Sequence, residues 1–251
     1  RCREIMRDEP AEQLALVRSR SDYDEARRTG KMAMWVALQG SNSLAHDPSV
    51  LLGEVGEAIH RVTLVHLSSS VLGGSNTPRA GDNGLTGRGR DFVRLCNARH
   101  ILVDLAHAGR RTFWDALEVH DPALPPIVSH TGVDGVYHHW RNVDDEQIRA
   151  IADRGGVVGI IYQSSFLESV RVWGHRAAIL DHLEHVLEVG GEQVGAIGTD
   201  YDGMIVPPGD LPDVTAHPLL VQDMLERGWS EDRIRGVLGG NYLRVVGSIR
   251  P

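Results

Sequence analysis

Short apolar runs alternate with longer amphipathic stretches along nearly the whole chain. The runs cover residues 32–38 (MAMWVAL), 62–65 (VTLV), 101–105 (ILVDL), 127–128 (IV), 157–161 (VVGII) and 194–197 (VGAI). Each is apolar on both faces, the pattern of parallel strands covered by helices. Between them, helices are predicted over 10–29, 48–61, 89–98, 111–119, 144–154, 177–189, 218–227 and 231–245. Asp47 before Pro48 and Ser230 before Glu231 read as N-caps, and Gly30 as a C-cap. The longest irregular stretch, 68–87, is rich in Gly, Ser and Asn, and a loop of that length in a compact domain is usually functional or mobile.

The alternation of strand and helix predicts an α/β fold with a parallel sheet. The residues just past the six strands are Gln39, His66, His107, His130, Tyr162 and Asp200, all polar. A doubly wound sheet uses only the strand ends at its switch point, whereas a (β/α)8 TIM-type barrel gathers every strand C-terminus on one face. The barrel explains the pattern better. Eight strands are needed and six are visible, so two N-terminal strands are expected to lie upstream of Arg1. No composition shift or linker divides the chain, and residues 1–251 read as one barrel domain.

Composition narrows the partners. The 251 residues carry a formal charge of −8, which argues against nucleic acid as the main partner. No uninterrupted apolar run reaches the length of a membrane span. The cysteines, Cys2 and Cys96, cannot build a disulfide framework. No phosphate-binding glycine motif and no Gly-x-Ser-x-Gly elbow occurs. A small-molecule or short-peptide ligand remains the default expectation. A homodimer is allowed for, and the compartment is left open with the cytoplasm as default.

His107 and His130 end consecutive strands, and imidazoles converging at a barrel mouth suit zinc or a similar metal. Asp104, three residues before His107, is placed to orient an imidazole. Asp200, after the last strand, can orient a metal-activated water or pass a proton, while Asp202 before Gly203 reads as turn chemistry. His66 can donate to a developing oxyanion and Arg141 can clamp a carboxylate; the plainer readings are a loop anchor and a surface arginine. Tyr162 reads as packing at the rim. His182 and His185 read as a solvated helix face, away from the strand ends.

Together these segments resemble the membrane (renal) dipeptidase family, peptidase family M19. The resemblance is carried by ILVDLAH ending at His107, PPIVSH ending at His130, WRNVDDEQI from Trp140, GAIGTDYDG around Asp200 and GNYLRVVG near the end, with VTLVH ending at His66 and GLTGRGR from Gly84. It implies a barrel holding two zinc ions that activate water for dipeptide hydrolysis. By the same resemblance His107 and His130 are ligands of the second zinc, and His66 contacts the scissile carbonyl. Arg141 then holds the substrate carboxylate, and Asp200 stands beside the water and the substrate amine.

The chain departs from the family pattern at its first metal. No His-x-Asp strand is visible, and Gln39 stands where the family has a metal-bridging glutamate. A neutral amide is a poor bridge between two dications. This keeps open a non-catalytic or one-metal relative that binds a small peptide or amino-acid derivative. A metal-dependent amidohydrolase acting on a lactam, lactone or phosphoester fits less well, because Arg141 suits a free C-terminus.

Overall fold

The computed structural model describes residues 13–251. Strands β1 (Leu14–Leu16), β2 (Met32–Met34), β3 (Val36–Leu38), β4 (Ile59–Thr63), β5 (Leu102–Asp104), β6 (Ile127–Thr131), β7 (Val157–Ile160) and β8 (Gly195–Ile197) are all paired in parallel. β3 to β8 form one sheet in sequence order, and β1 pairs with β2. Sequential parallel order with helices between the strands is the winding of a barrel wall. Among the described residues no ladder joins β8 to β1, so the wall is an open arc.

The main helices are α1 (Arg20–Arg28), α2 (Glu54–Ala58), α3 (Gly87–Ala98), α4 (Arg110–Val119), α5 (Asp145–Asp153), α6 (Ser164–Leu167), α7 (Arg176–Gly190), α8 (His217–Glu226), α9 (Glu231–Arg235) and α10 (Asn241–Ile249). None is long and apolar enough to cross a membrane.

Three elements differ from the expectations above. The stretch 10–29 is not one helix: residues 10–12 lie outside the described part, Leu14–Leu16 is a strand, and α1 begins only after Ser19, whose side chain caps Asp22 N. Edge pairing with Met32–Met34 wins over helical propensity there. With β2 and β3 read as one interrupted strand, seven positions of the wall are present rather than six. The stretch 48–61 starts at the expected Asp47 cap but is a 3-10 turn, Pro48–Leu52, then α2, then strand from Ile59. Extended Gly53 breaks the helix between them. The last helix splits at Gly239, whose φ of 155° no L-residue adopts comfortably.

Apolar residues of the wall, such as Val62, Val103, Val128 and Val158, pack against Phe92, Phe113, Ile148, Ile179 and Leu183 of the helices. Burying each such side chain is worth about 1.5–3 kcal/mol. A smaller cluster, Leu102, Ile127, Val157 and Ala196, is sealed by Val245 and Ile249 of α10 at the opposite end of the strands from the site. The polar residues are therefore left to the other end.

Candidate functional site

Gln39, His107 and His130 converge. His107 Nε2 and His130 Nε2 stand 2.9 Å apart, and Gln39 Nε2 is 3.3 Å from each. Both histidines are buried. His66 packs edge-on against His107 with ring centroids 4.5 Å apart. His107 reaches this position with a left-handed backbone, φ 66°, and Asp200 shares that conformation at φ 57°. Non-glycine residues held there store strain of order 1–3 kcal/mol, a cost found at functional sites.

The orientation of His130 is fixed from inside the wall. Ser129 Oγ donates to Asp104 Oδ2 at 2.6 Å, so it can only accept from its other neighbours. These are Arg61 Nη1 at 2.8 Å and His130 Nδ1 at 2.7 Å. The His130 proton is thereby held on Nδ1, and the Nε2 lone pair faces His107 and Gln39. Asp104 is paired with Arg61 and also accepts from Ala106 N and Ser129 N. Its burial would raise the carboxyl pKa, but Arg61 and these donors outweigh that and hold it ionised. Asp104 thus orients an imidazole as expected, but that of the next strand. Neither Arg61 nor Ser129 stood out in the sequence; a small hydroxyl beside a strand-end histidine is the one available signal.

Arg141 is fully buried. Its Nη2 donates to the His130 carbonyl at 2.8 Å, its Nε has no partner, and among the described residues its guanidinium forms no ion pair. Burial lowers its pKa to about 10, against the opposing pull of Asp104 and Asp200. Burial and then the Arg141 charge keep His66, His107 and His130 below their ordinary pKa, so all three imidazoles are neutral. Asp200 is half-buried and its pKa rises to about 6 by burial, with Arg141 and Arg61 pulling it back. The turn after it is tight: a side chain at Gly203 would meet Asp200 Oδ1 at 2.6 Å.

The remaining candidates take structural places. Tyr162 is buried, edge-on to Tyr201 and His217. Asp202 occupies the turn with φ 64°. His182, read as solvated, is instead completely buried: its Nδ1 accepts from Val133 N at 2.8 Å and its Nε2 donates to the Leu167 carbonyl at 2.9 Å. It fastens the loop after β6 to α6. His185 pairs with Asp145.

The three converging atoms form a triangle with edges of 2.9, 3.3 and 3.3 Å. Ligands about 2.1 Å from one tetrahedral ion stand roughly 3.4 Å apart, so the triangle is one coordination face for a zinc-sized cation. A half-turn of the Gln39 amide puts Oε1 in the third corner. Two neutral imidazoles and an amide oxygen fit one such ion. Among the described residues no group of three His, Cys, Asp or Glu side chains forms a metal site, so the amide of Gln39 is needed to complete the face.

The model of the membrane dipeptidase family, peptidase family M19, matches residues 1–250. The dipeptidase verJ of Clonostachys rogersoniana is 31% identical over 248 residues, a match covering 95% of this chain and 61% of that protein. The chain thus spans about three-fifths of that relative. Among solved structures, an amidohydrolase from Pseudomonas aeruginosa superposes with a TM-score of 0.89 at 26% identity, covering 99% of this chain and 82% of that one. A metallopeptidase from Rhodobacter sphaeroides, liganded with a phosphinate mimic of the dipeptide L-Ala-D-Ala, gives 0.85 at 25% identity, covering 95% and 69%.

Proposed function

The chain belongs to the membrane dipeptidase family, peptidase family M19, and from that premise we propose that the protein hydrolyses dipeptides at the site around His107 and His130. The observation that carries the reading is Arg141, a buried guanidinium with no carboxylate of its own, set beside a face of donors that suits a metal ion. A buried cation without a direct ion pair is costly, and a ligand with a free carboxylate would neutralise it. The mimic bound by the Rhodobacter sphaeroides relative is of a dipeptide, which has that carboxylate.

His107, His130 and the Gln39 amide oxygen would hold zinc, which when bound supplies a Lewis acid and a water of lowered pKa. His66, neutral, can donate to the carbonyl oxygen as charge builds there. Arg141 fixes the C-terminal carboxylate and with it the register of the peptide bond. Asp200, with a pKa of about 6, is a carboxylate at neutral pH that can accept a proton and return it to the leaving amine.

The alternative is a non-catalytic relative that binds a small peptide or amino-acid derivative. Gln39 favours it, since the ligand set then carries no charge. A panel of L-L and L-D dipeptides given to the zinc-loaded protein separates the two: release of free amino acids supports the hydrolase, and dipeptide binding without release supports the binder.

A further inference from the structure

The dipeptide Ser75–Asn76, within the 68–87 loop, touches three of the site residues. Ser75 Oγ donates to the His66 carbonyl at 2.5 Å, and Asn76 N–H donates to the His107 carbonyl at 2.9 Å. Asn76 Nδ2 reaches the Arg141 carbonyl at 3.4 Å. Asn76 Oδ1 is buried and has no partner among the described residues, and the same holds for His107 Nδ1 and Arg141 Nε. Asn76, His107 and Arg141 line one cavity of about 210 Å³.

An imidazole whose Nε2 faces a metal ion carries its proton on Nδ1 and needs an acceptor for it. His130 has Ser129. Among the described residues His107 Nδ1 has no acceptor, and leaving a buried N–H bare costs about 1–3 kcal/mol. The cavity offers an acceptor in Asn76 Oδ1 and a donor in Arg141 Nε–H, the partners that a buried water requires.

We propose that Asn76 is the positioning residue of His107: a water in this cavity accepts the hydrogen bond from His107 Nδ1–H and donates to Asn76 Oδ1, which keeps the proton on Nδ1 and the Nε2 lone pair turned to the metal. The inference rests on the metal reading above. It gives the irregular 68–87 loop a task at the site, complementary to that of Ser129 on the other imidazole.

The test compares Asn76→Leu with Asn76→Asp in the purified protein, by zinc affinity against a chelator and by ¹⁵N ring signals of His107 in the zinc-loaded state. Asn76→Asp keeps an acceptor toward the cavity, loses the donor to the Arg141 carbonyl and adds a charge that favours a bound cation. It should hold zinc within about threefold of the parent and retain the Nδ1–H signal. Asn76→Leu should lose zinc affinity by about 10–100-fold, the usual effect of removing such a partner, with the Nδ1–H signal lost or shifted. If Asn76 only anchored the loop through Arg141, both variants would weaken zinc alike, and that result overturns the proposal. Parental affinity in Asn76→Leu overturns it too. Should Asn76→Leu fail to fold, loss of affinity in a folded Asn76→Asp has the same force. A parent that takes up no zinc removes the metal reading itself, and the positioning role falls with it.

Discussion

Arg141→Met separates the stability of this fold from its proposed function. Methionine keeps much of the length and removes the charge. Burial has lowered the Arg141 pKa from 12.5 to about 10, and at about 1.4 kcal/mol per pKa unit the folded protein carries a cost of about 3 kcal/mol for this cation. A base with a depressed folded pKa is charged in both states below pH 10, so that cost is constant at neutral pH and is relieved only as pH rises from 10 toward 12.5. The substitution also removes the bond to the His130 carbonyl, worth about 1 kcal/mol. The net expectation is a gain of about 2 kcal/mol, or about 4–8 °C in Tm at the roughly 2–4 °C per kcal/mol of a domain this size. A ligand carboxylate deprived of its buried partner should lose about 2–5 kcal/mol, a fall in kcat/KM between about 30-fold and several thousand-fold. Thermal unfolding at pH 7 and dipeptide turnover by the same preparation measure both. A variant that melts lower than the parent while retaining its turnover would refute the reasoning, because Arg141 would then be a structural cation.

Restoring a charge at the metal face with Gln39→Glu should tighten zinc binding by about 10–100-fold, since a carboxylate beside a dication gains a few kcal/mol even at a high effective dielectric; equilibrium dialysis reads it, and an unchanged affinity would place Gln39 outside the coordination. Ser129→Ala removes the acceptor of the His130 Nδ1 proton and a donor to Asp104, and should weaken zinc by about 10–100-fold in a chelator competition. For Asp200 the folded pKa of about 6 lies above the ordinary 3.8, so the folded state holds its proton longer, and this group's contribution to stability falls as pH rises through that window and is level above it. The base form appears over the same range, so kcat/KM should rise through a limb near pH 6; Asp200→Asn should remove the limb with most of the activity, and a limb that persists would assign it to another group.

The parallel wall was legible because its strands are apolar on both faces, and the candidate site because polar residues recur just past them. What escaped the sequence has physical causes. The Leu14–Leu16 strand lies in a short apolar run, LALV at 14–17, enclosed in a stretch that reads as helix, and it is strand through pairing with Met32–Met34. His182 lies in a helical segment whose pattern places it outside the wall, yet the loop after β6 and the end of α6 fold over it and each use one of its ring nitrogens. Arg61 read as the end of the 48–61 helix and Ser129 lay just past the 127–128 run; they meet over Asp104 only when β4, β5 and β6 come into register. Arg141 carried two readings in sequence; its burial sets the surface-charge reading aside, and with no ion pair among the described residues it leaves the clamp as the proposal.

One comparison is decisive: hydrolysis by the zinc-loaded protein of a dipeptide and of the same dipeptide with its C-terminus amidated. Neutralising the carboxylate removes the group assigned to Arg141 and leaves the scissile bond intact. A carboxylate held by Arg141 gives turnover of the free dipeptide and at least a 30-fold lower kcat/KM for the amide, the lower bound set by a lost buried charge contact of about 2 kcal/mol. Equal turnover of the two, or of neither, would contradict it.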